Sequence, residues 1–139
     1  MSADWVEYKH DTSGMTAADL VDLWHSVGWI GFSDKYPQRL LGAMVRSDYT
    51  IAAWVADKLV GVCACMTNGL QTYVSQLCVH PDYQKKGVGT YLIDMVKLRY
   101  QDCEIILMTR NAKDFYLKTG FEVDETAIPM RVDNLGFDN

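Results

Sequence analysis

The chain has 139 residues, enough for one hydrophobic core and too few for two independent ones. Its composition, 49% hydrophobic and 22% charged with three prolines, excludes a disordered chain, and a formal net charge of -5 opposes nucleic acid and anionic lipid as partners. The most apolar stretch, 51–66, is broken by Asp57 and Lys58, and the N-terminus lacks a basic-then-apolar signal, so the expectation is one domain over 1–139, with no membrane partner, held in the cytoplasm.

Trp5, Val6 and Tyr8 predict a short first strand. Thr16, with Asp19 three residues on, is a predicted N-cap with an acidic first turn, opening a helix through Leu20, Leu23, Trp24 and Val27 that Gly28 ends. Pro37 suits a first helical position and starts a second helix with Leu40, Leu41, Met44 and Val45 on one face. Residues 49–55 and 59–66 are apolar runs joined by a tight Ala56-Asp57-Lys58 connection, an antiparallel hairpin. Asn68-Gly69 turns the chain into a third strand, 72–79, which Pro81 stops after His80. Beyond the loop 82–86, Val88, Leu92, Met95 and Val96 have the spacing of a helix lying on a sheet, and 104–108 reads as a buried strand. Strand, helix and strand in that order form a parallel crossover. The predicted fold class is therefore α/β (α+β), a mixed, mostly antiparallel twisted sheet with one parallel pair and about four helices. Residues 112–118 form a short helix with Gly120 as its stop, and 121–123 a last strand.

Cys63, Cys65, Cys78 and Cys103 do not have C-x-x-C spacing, and three of them lie in apolar runs, so they read as buried small hydrophobes. His10, His25 and His80 are scattered and meet no metal-ligand spacing, so no metal is expected.

The run Gln84-Lys85-Lys86-Gly87-Val88-Gly89-Thr90 sits where a strand has ended and a helix begins. The first turn of a helix presents unpaired N–H groups and partial positive charge, both of which bind phosphate oxygens. Gly87 and Gly89 let backbone approach an anion, and Lys85 and Lys86 add charge. The same run also reads as an ordinary glycine-rich helix start with two solvated lysines. Neither the P-loop spacing nor the three-glycine dinucleotide pattern is present, which disfavours nucleoside triphosphates and NAD.

Leu77-Cys78-Val79-His80-Pro81-Asp82-Tyr83, followed by this run, resembles the motif of the GNAT acetyltransferases in which a strand ends in V-x-P-x-Y and Q/R-x-x-G-x-G/A opens a helix. Asn111-Ala112-Lys113-Asp114-Phe115-Tyr116-Leu117-Lys118-Thr119-Gly120-Phe121 is similar to the family's second signature, N-x-x-x-F-Y-x-x-x-G-F. The resemblance covers the chain well from about Tyr49 onward and in outline before it. It implies a pantetheine arm lying between two parallel splayed strands, here 72–79 and 104–108. Main-chain groups of Cys78 and Val79 would contact that arm, amides from Gln84 to Thr90 would hold the pyrophosphate of acetyl-CoA, and Asn111 and Tyr116 would face the cosubstrate from the other side. By the same placement Cys78 lies near the thioester, where transient acetylation is the alternative to a buried hydrophobe.

The chemistry sets its own demands. Freeing a protonated alkylamine at neutral pH costs about 4 kcal/mol, attack on a thioester builds an oxyanion that needs a donor such as the Val79 N–H, and the departing thiolate leaves more easily if protonated. Tyr116 stands where the family commonly carries that acid, although any tyrosine also has a plain packing role. At Ser75 and Gln76, where many relatives place a carboxylate, this chain has none; a water chain passing Ser75, Asp34, Glu122 or a neutral amine are the routes left. Trp29 and Phe32, in a predicted loop, form one wall of the acceptor cleft in the family, while Trp24 reads as core. The implied activity is acetyl transfer to a primary amine, a small molecule first, with protein or peptide amines, or a coenzyme A-binding sensor, as alternatives. Edge pairing of terminal strands would give a homodimer.

Overall fold

The computed structural model describes residues 5–136; the first four and last three residues lie outside it. Strand β1 spans Glu7–Lys9, starting two residues after Trp5, the first residue of the expected strand. Helix α1 (Ala17–Ser26) opens on a reciprocal cap: the Thr16 hydroxyl accepts from the Asp19 N–H at 3.1 Å, and the Asp19 carboxylate accepts from the Thr16 N–H at 2.9 Å. Gly28, just beyond its end, adopts φ +84°, a left-handed conformation that glycine enters without a Cβ penalty.

A helix absent from the sequence reading follows. Helix α2 (Gly31–Lys35) is five residues long, too short for any periodicity to register, and Phe32 therefore sits on a helix rather than in a loop. Buried Ser33 anchors it by donating to the carbonyls of Trp29 and Ile30 at 3.0 and 3.1 Å. Helix α3 (Pro37–Arg46) begins at the proline; Leu40 and Met44 are buried, but Val45 is exposed and does not join the core face.

Strands β2 (Tyr49–Val55) and β3 (Lys58–Thr67) form the hairpin, and β4 (Gln71–Val79), α4 (Val88–Arg99), β5 (Glu104–Ile106) and α5 (Lys113–Lys118) complete the order. The five strands lie in the order β1-β2-β3-β4-β5, antiparallel except for the final β4–β5 pair. The expected parallel crossover is therefore present. One apolar cluster, with Leu20, Leu23, Met44, Trp54 and Val62, packs α1 and α3 on one face of the sheet, while Ile51-, Val60-, Leu92- and Val96-type neighbours pack α4 on the other. Among the described residues five α-helices accompany the sheet, one more than the four or so expected, in a fold of the expected class. The strand expected at 104–108 ends at Ile106, and 121–123 form no strand. Among the described residues no helix is long and apolar enough to cross a membrane.

Candidate active site

The register between β4 and β5 covers only Gln71↔Glu104, Thr72↔Ile105 and Tyr73↔Ile106. Past Tyr73, β4 runs on to Val79 with β3 alone as its partner, so residues 74–79 present an unpaired strand edge. The cause lies at Ser75. In the β3–β4 register Ala64 opposes Gln76 and Cys65 opposes Val74, which leaves Ser75 as the extra residue of a bulge. A bulge bends its strand and increases local twist, and here it turns β4 away from β5 where their pairing stops. The Ser75 hydroxyl donates to the Ala64 carbonyl at 3.2 Å, so it ties the bulge to β3. This role was not anticipated; the trace of it in the sequence is the odd spacing of apolar Val74 and Leu77 around Ser75 and Gln76, and in the structure both pack into the same core, which strict alternation forbids.

Cys78 is buried on the α1 side, with its thiol directed at the Leu23 carbonyl at 3.9 Å. Burial pushes its pKa far above the usual thiol range, which favours the neutral thiol over the nucleophilic thiolate. Cys63 and Cys65 are likewise buried and free. Trp24 is core, edge-on to Trp29 at 5.6 Å between ring centroids. Trp29 and Phe32 are half-buried against the same cluster.

Beyond β4 the chain makes one short helical turn, Pro81–Tyr83, and the Gln84 side chain donates back to the Val79 carbonyl at 2.9 Å. Lys85 (φ +64°) and Gly87 (φ +88°) are both left-handed, and they reverse the backbone into α4. The first backbone bond of that helix runs from the Tyr91 N–H to the Gly87 carbonyl at 3.0 Å; the N–H groups of Lys86, Gly87, Val88, Gly89 and Thr90 donate to no backbone carbonyl among the described residues. A Cβ at Gly87 would meet nothing within 4 Å, so its need is conformational and the space before it is open. Gly89 differs: a Cβ there would come within 3.2 Å of the Phe115 ring. Its smallness admits the Phe115 ring of α5 against the start of α4.

That contact sets Tyr116. Its ring lies between Phe115 and Phe121, at 5.0 and 5.6 Å, and the Lys97 ammonium donates to the Thr119 carbonyl, fixing the end of α5 against α4. Burial raises the Tyr116 pKa well above the usual phenol range, with the nearby Cys63 adding to the shift. Asn111 is exposed at the entry to α5, where the Ala112 N–H donates to the Thr109 hydroxyl at 3.0 Å.

Of the remaining proton-accepting candidates, Asp34 is exposed and held by His25 at 2.6 Å, and Glu122 is exposed. The Arg39 guanidinium lies over Phe32 and Tyr36, at 5.9 and 5.2 Å from the ring centroids, so these aromatic faces already carry a cation from the chain itself. A depression of about 430 Å³ lies apart from these residues, between the start of α1 and the β2–β3 turn, and is lined by Asp19, Asp22, Asp57 and His80. Among the described residues no group of three His, Cys, Asp or Glu side chains converges as a metal site would require.

A family model described as an acetyltransferase (GNAT) domain matches residues 47–123. The chain is 26% identical over 141 residues to the uncharacterized N-acetyltransferase ycf52 of Pyropia yezoensis, covering 91% of this chain and 79% of that protein. Its fold superposes on a GNAT family acetyltransferase of Streptococcus pneumoniae with a TM-score of 0.76, at 24% identity over 94% of this chain and 98% of the other. An aminoglycoside 6'-N-acetyltransferase complexed with coenzyme A gives 0.68, at 16% identity over 82% and 83% of the two chains.

Proposed function

The chain belongs to the GNAT acetyltransferase family, and we propose that it transfers the acetyl group of acetyl-coenzyme A to a small primary amine by direct attack. The observation that carries this reading is the succession of two backbone surfaces along the chain, the β4 edge at 74–79, which has no second strand partner among the described residues and whose Val79 carbonyl is met by Gln84, and the amides of 86–90. An amide-bearing arm satisfies the first by pairing as a further strand, and a pyrophosphate satisfies the second. Lys85 and Lys86 supply positive charge beside it.

Each remaining role follows from that placement. The Val79 N–H serves as the donor to the developing oxyanion, and Tyr116, kept protonated by burial, gives its proton to the departing thiolate. Cys78 contributes main chain only. With no carboxylate at Ser75 or Gln76, the amine reacts in its neutral form after losing its proton to solvent. Trp29 and Phe32 supply an apolar wall, and Arg39 over Phe32 disfavours a second positive charge there, so the acceptor has one amine and an apolar body.

Isothermal titration of acetyl-coenzyme A, with dephospho-coenzyme A and pantetheine as controls, tests the reading. Micromolar binding that weakens as phosphates are removed is the expected result; absence of binding ends it.

A further inference from the structure

A cationic surface interrupts an otherwise acidic chain. Residues 29–46 carry Lys35, Arg39 and Arg46 against Asp34 alone, in a protein of net charge -5. The Arg39 guanidinium lies 5.9 and 5.2 Å from the Phe32 and Tyr36 ring centroids, and the Lys35 ammonium lies 5.5 Å from the same Tyr36 centroid. Both residues are exposed, and among the described residues neither has a carboxylate within ion-pair distance. Asp34, next to them in sequence, is held by His25 at 2.6 Å. Two like charges gathered on one ring repel each other, and an anion bound between them relieves that repulsion.

This surface adjoins the β4 edge. The start of α1 shares a depression with His80 at the end of β4, and the Leu23 carbonyl meets the Cys78 thiol, so α1 runs back along β4 and carries α2 toward its middle. Phe32 packs on the apolar cluster that includes Cys78 and Ala64, and Ala64 is the register partner of Gln76. One ring therefore touches both the core beneath residues 76–78 and the Arg39 guanidinium.

We infer that Arg39, with Lys35 beside it, binds a carboxylate at the far end of the acceptor, so that the substrate is an amino acid whose amine and carboxylate are separated by an apolar body. This narrows the acceptor of the acetyl transfer proposed above, on which it rests. A guanidinium held over aromatic rings keeps N–H donors at its edge, and their planar fork matches a carboxylate with two parallel hydrogen bonds. The body lies along Trp29 and Phe32, and the amine reaches the gap beside β4. An acceptor with a second amine at the Arg39 end would meet two positive charges, and one with a neutral end would leave them unneutralised.

Initial-rate kinetics of the full chain at saturating acetyl-coenzyme A, with three acceptors of one shape, test this: 4-(aminomethyl)benzoate, its neutral amide 4-(aminomethyl)benzamide, and benzylamine. The expected result is a kcat/KM for the benzoate about 10-fold or more above the other two, expressed mainly in KM and falling as ionic strength rises. Arg39→Gln is expected to remove that preference with unchanged circular dichroism, and Arg39→Lys, which keeps the charge without the fork, to restore part of it. Equal kcat/KM for the benzoate and the benzamide overturns the inference and leaves the acetyl-transfer reading in place, as does a preference that Arg39→Gln leaves unchanged. Acetyl-coenzyme A that binds in calorimetric titration without acetylating any of the three acceptors overturns that reading, and this inference with it.

Discussion

Tyr116 is a phenol flanked by Phe115 and Phe121 and made harder to ionise than an ordinary tyrosine. Burial penalises the phenolate, which is why its pKa stands above the ordinary value. Replacing Tyr116 by Phe is expected to lower turnover about 100-fold with little change in acetyl-coenzyme A affinity, read by steady-state kinetics and titration; an unchanged rate removes Tyr116 from the chemistry. The same burial fixes the sign of a pH effect on stability. Above the ordinary phenol pKa of about 10, the unfolded chain loses the Tyr116 proton while the folded chain keeps it, so unfolding releases protons and stability falls as pH rises. Denaturant titrations at pH 9 and 11 are expected to show this fall, and Tyr116→Phe to lessen it. Tyr8, Tyr49 and Tyr100, also raised mainly by burial, carry the remainder.

At the scale of the element, the start of α4 holds two glycines with different physical reasons to be there. Gly87 is left-handed and faces open space, so valine at that position strains the turn without a clash, at a cost of about 1–3 kcal/mol. Calorimetric titration of Gly87→Val is expected to show coenzyme affinity reduced about 10-fold or more, because the free amides of 86–90 lose their common direction. Gly89 is packed under the Phe115 ring, and Gly89→Val overpacks that contact, destabilising the fold by about 1–3 kcal/mol. Since Phe115 precedes Tyr116, kinetic measurement is expected to show a larger loss in turnover than in affinity. Equal losses in the two would count against a packing route from Gly89 through Phe115 to Tyr116. The sequence motif presents both glycines as alike; the packing separates them.

Across the whole molecule, the gap that defines the site is a defect in sheet pairing, and a ligand that pairs with it should stabilise the entire fold. At a hundredfold excess over Kd, acetyl-coenzyme A is expected to add about 2.7 kcal/mol to stability, seen as a rise in Tm, and to slow exchange of the 74–79 amides. Much of this architecture was legible in the amino-acid order. Apolar spacing located both early helices and the hairpin, Thr16 and Pro37 marked helix starts, and the strand–helix–strand order gave the parallel pair. Helix α2, with only five residues, left no periodic trace, and the short run at 121–123 matched strand propensity but has no strand partner. By itself the sequence determined most of the elements and a glycine-containing turn before α4, because propensity, capping and glycine placement act over a few neighbouring residues. Only the tertiary structure decided that Ser75 is a bulge opening β4 from β5, that Phe115 rests on Gly89, and that residues 127–133 lie uncovered, because each depends on which distant residue comes to lie opposite.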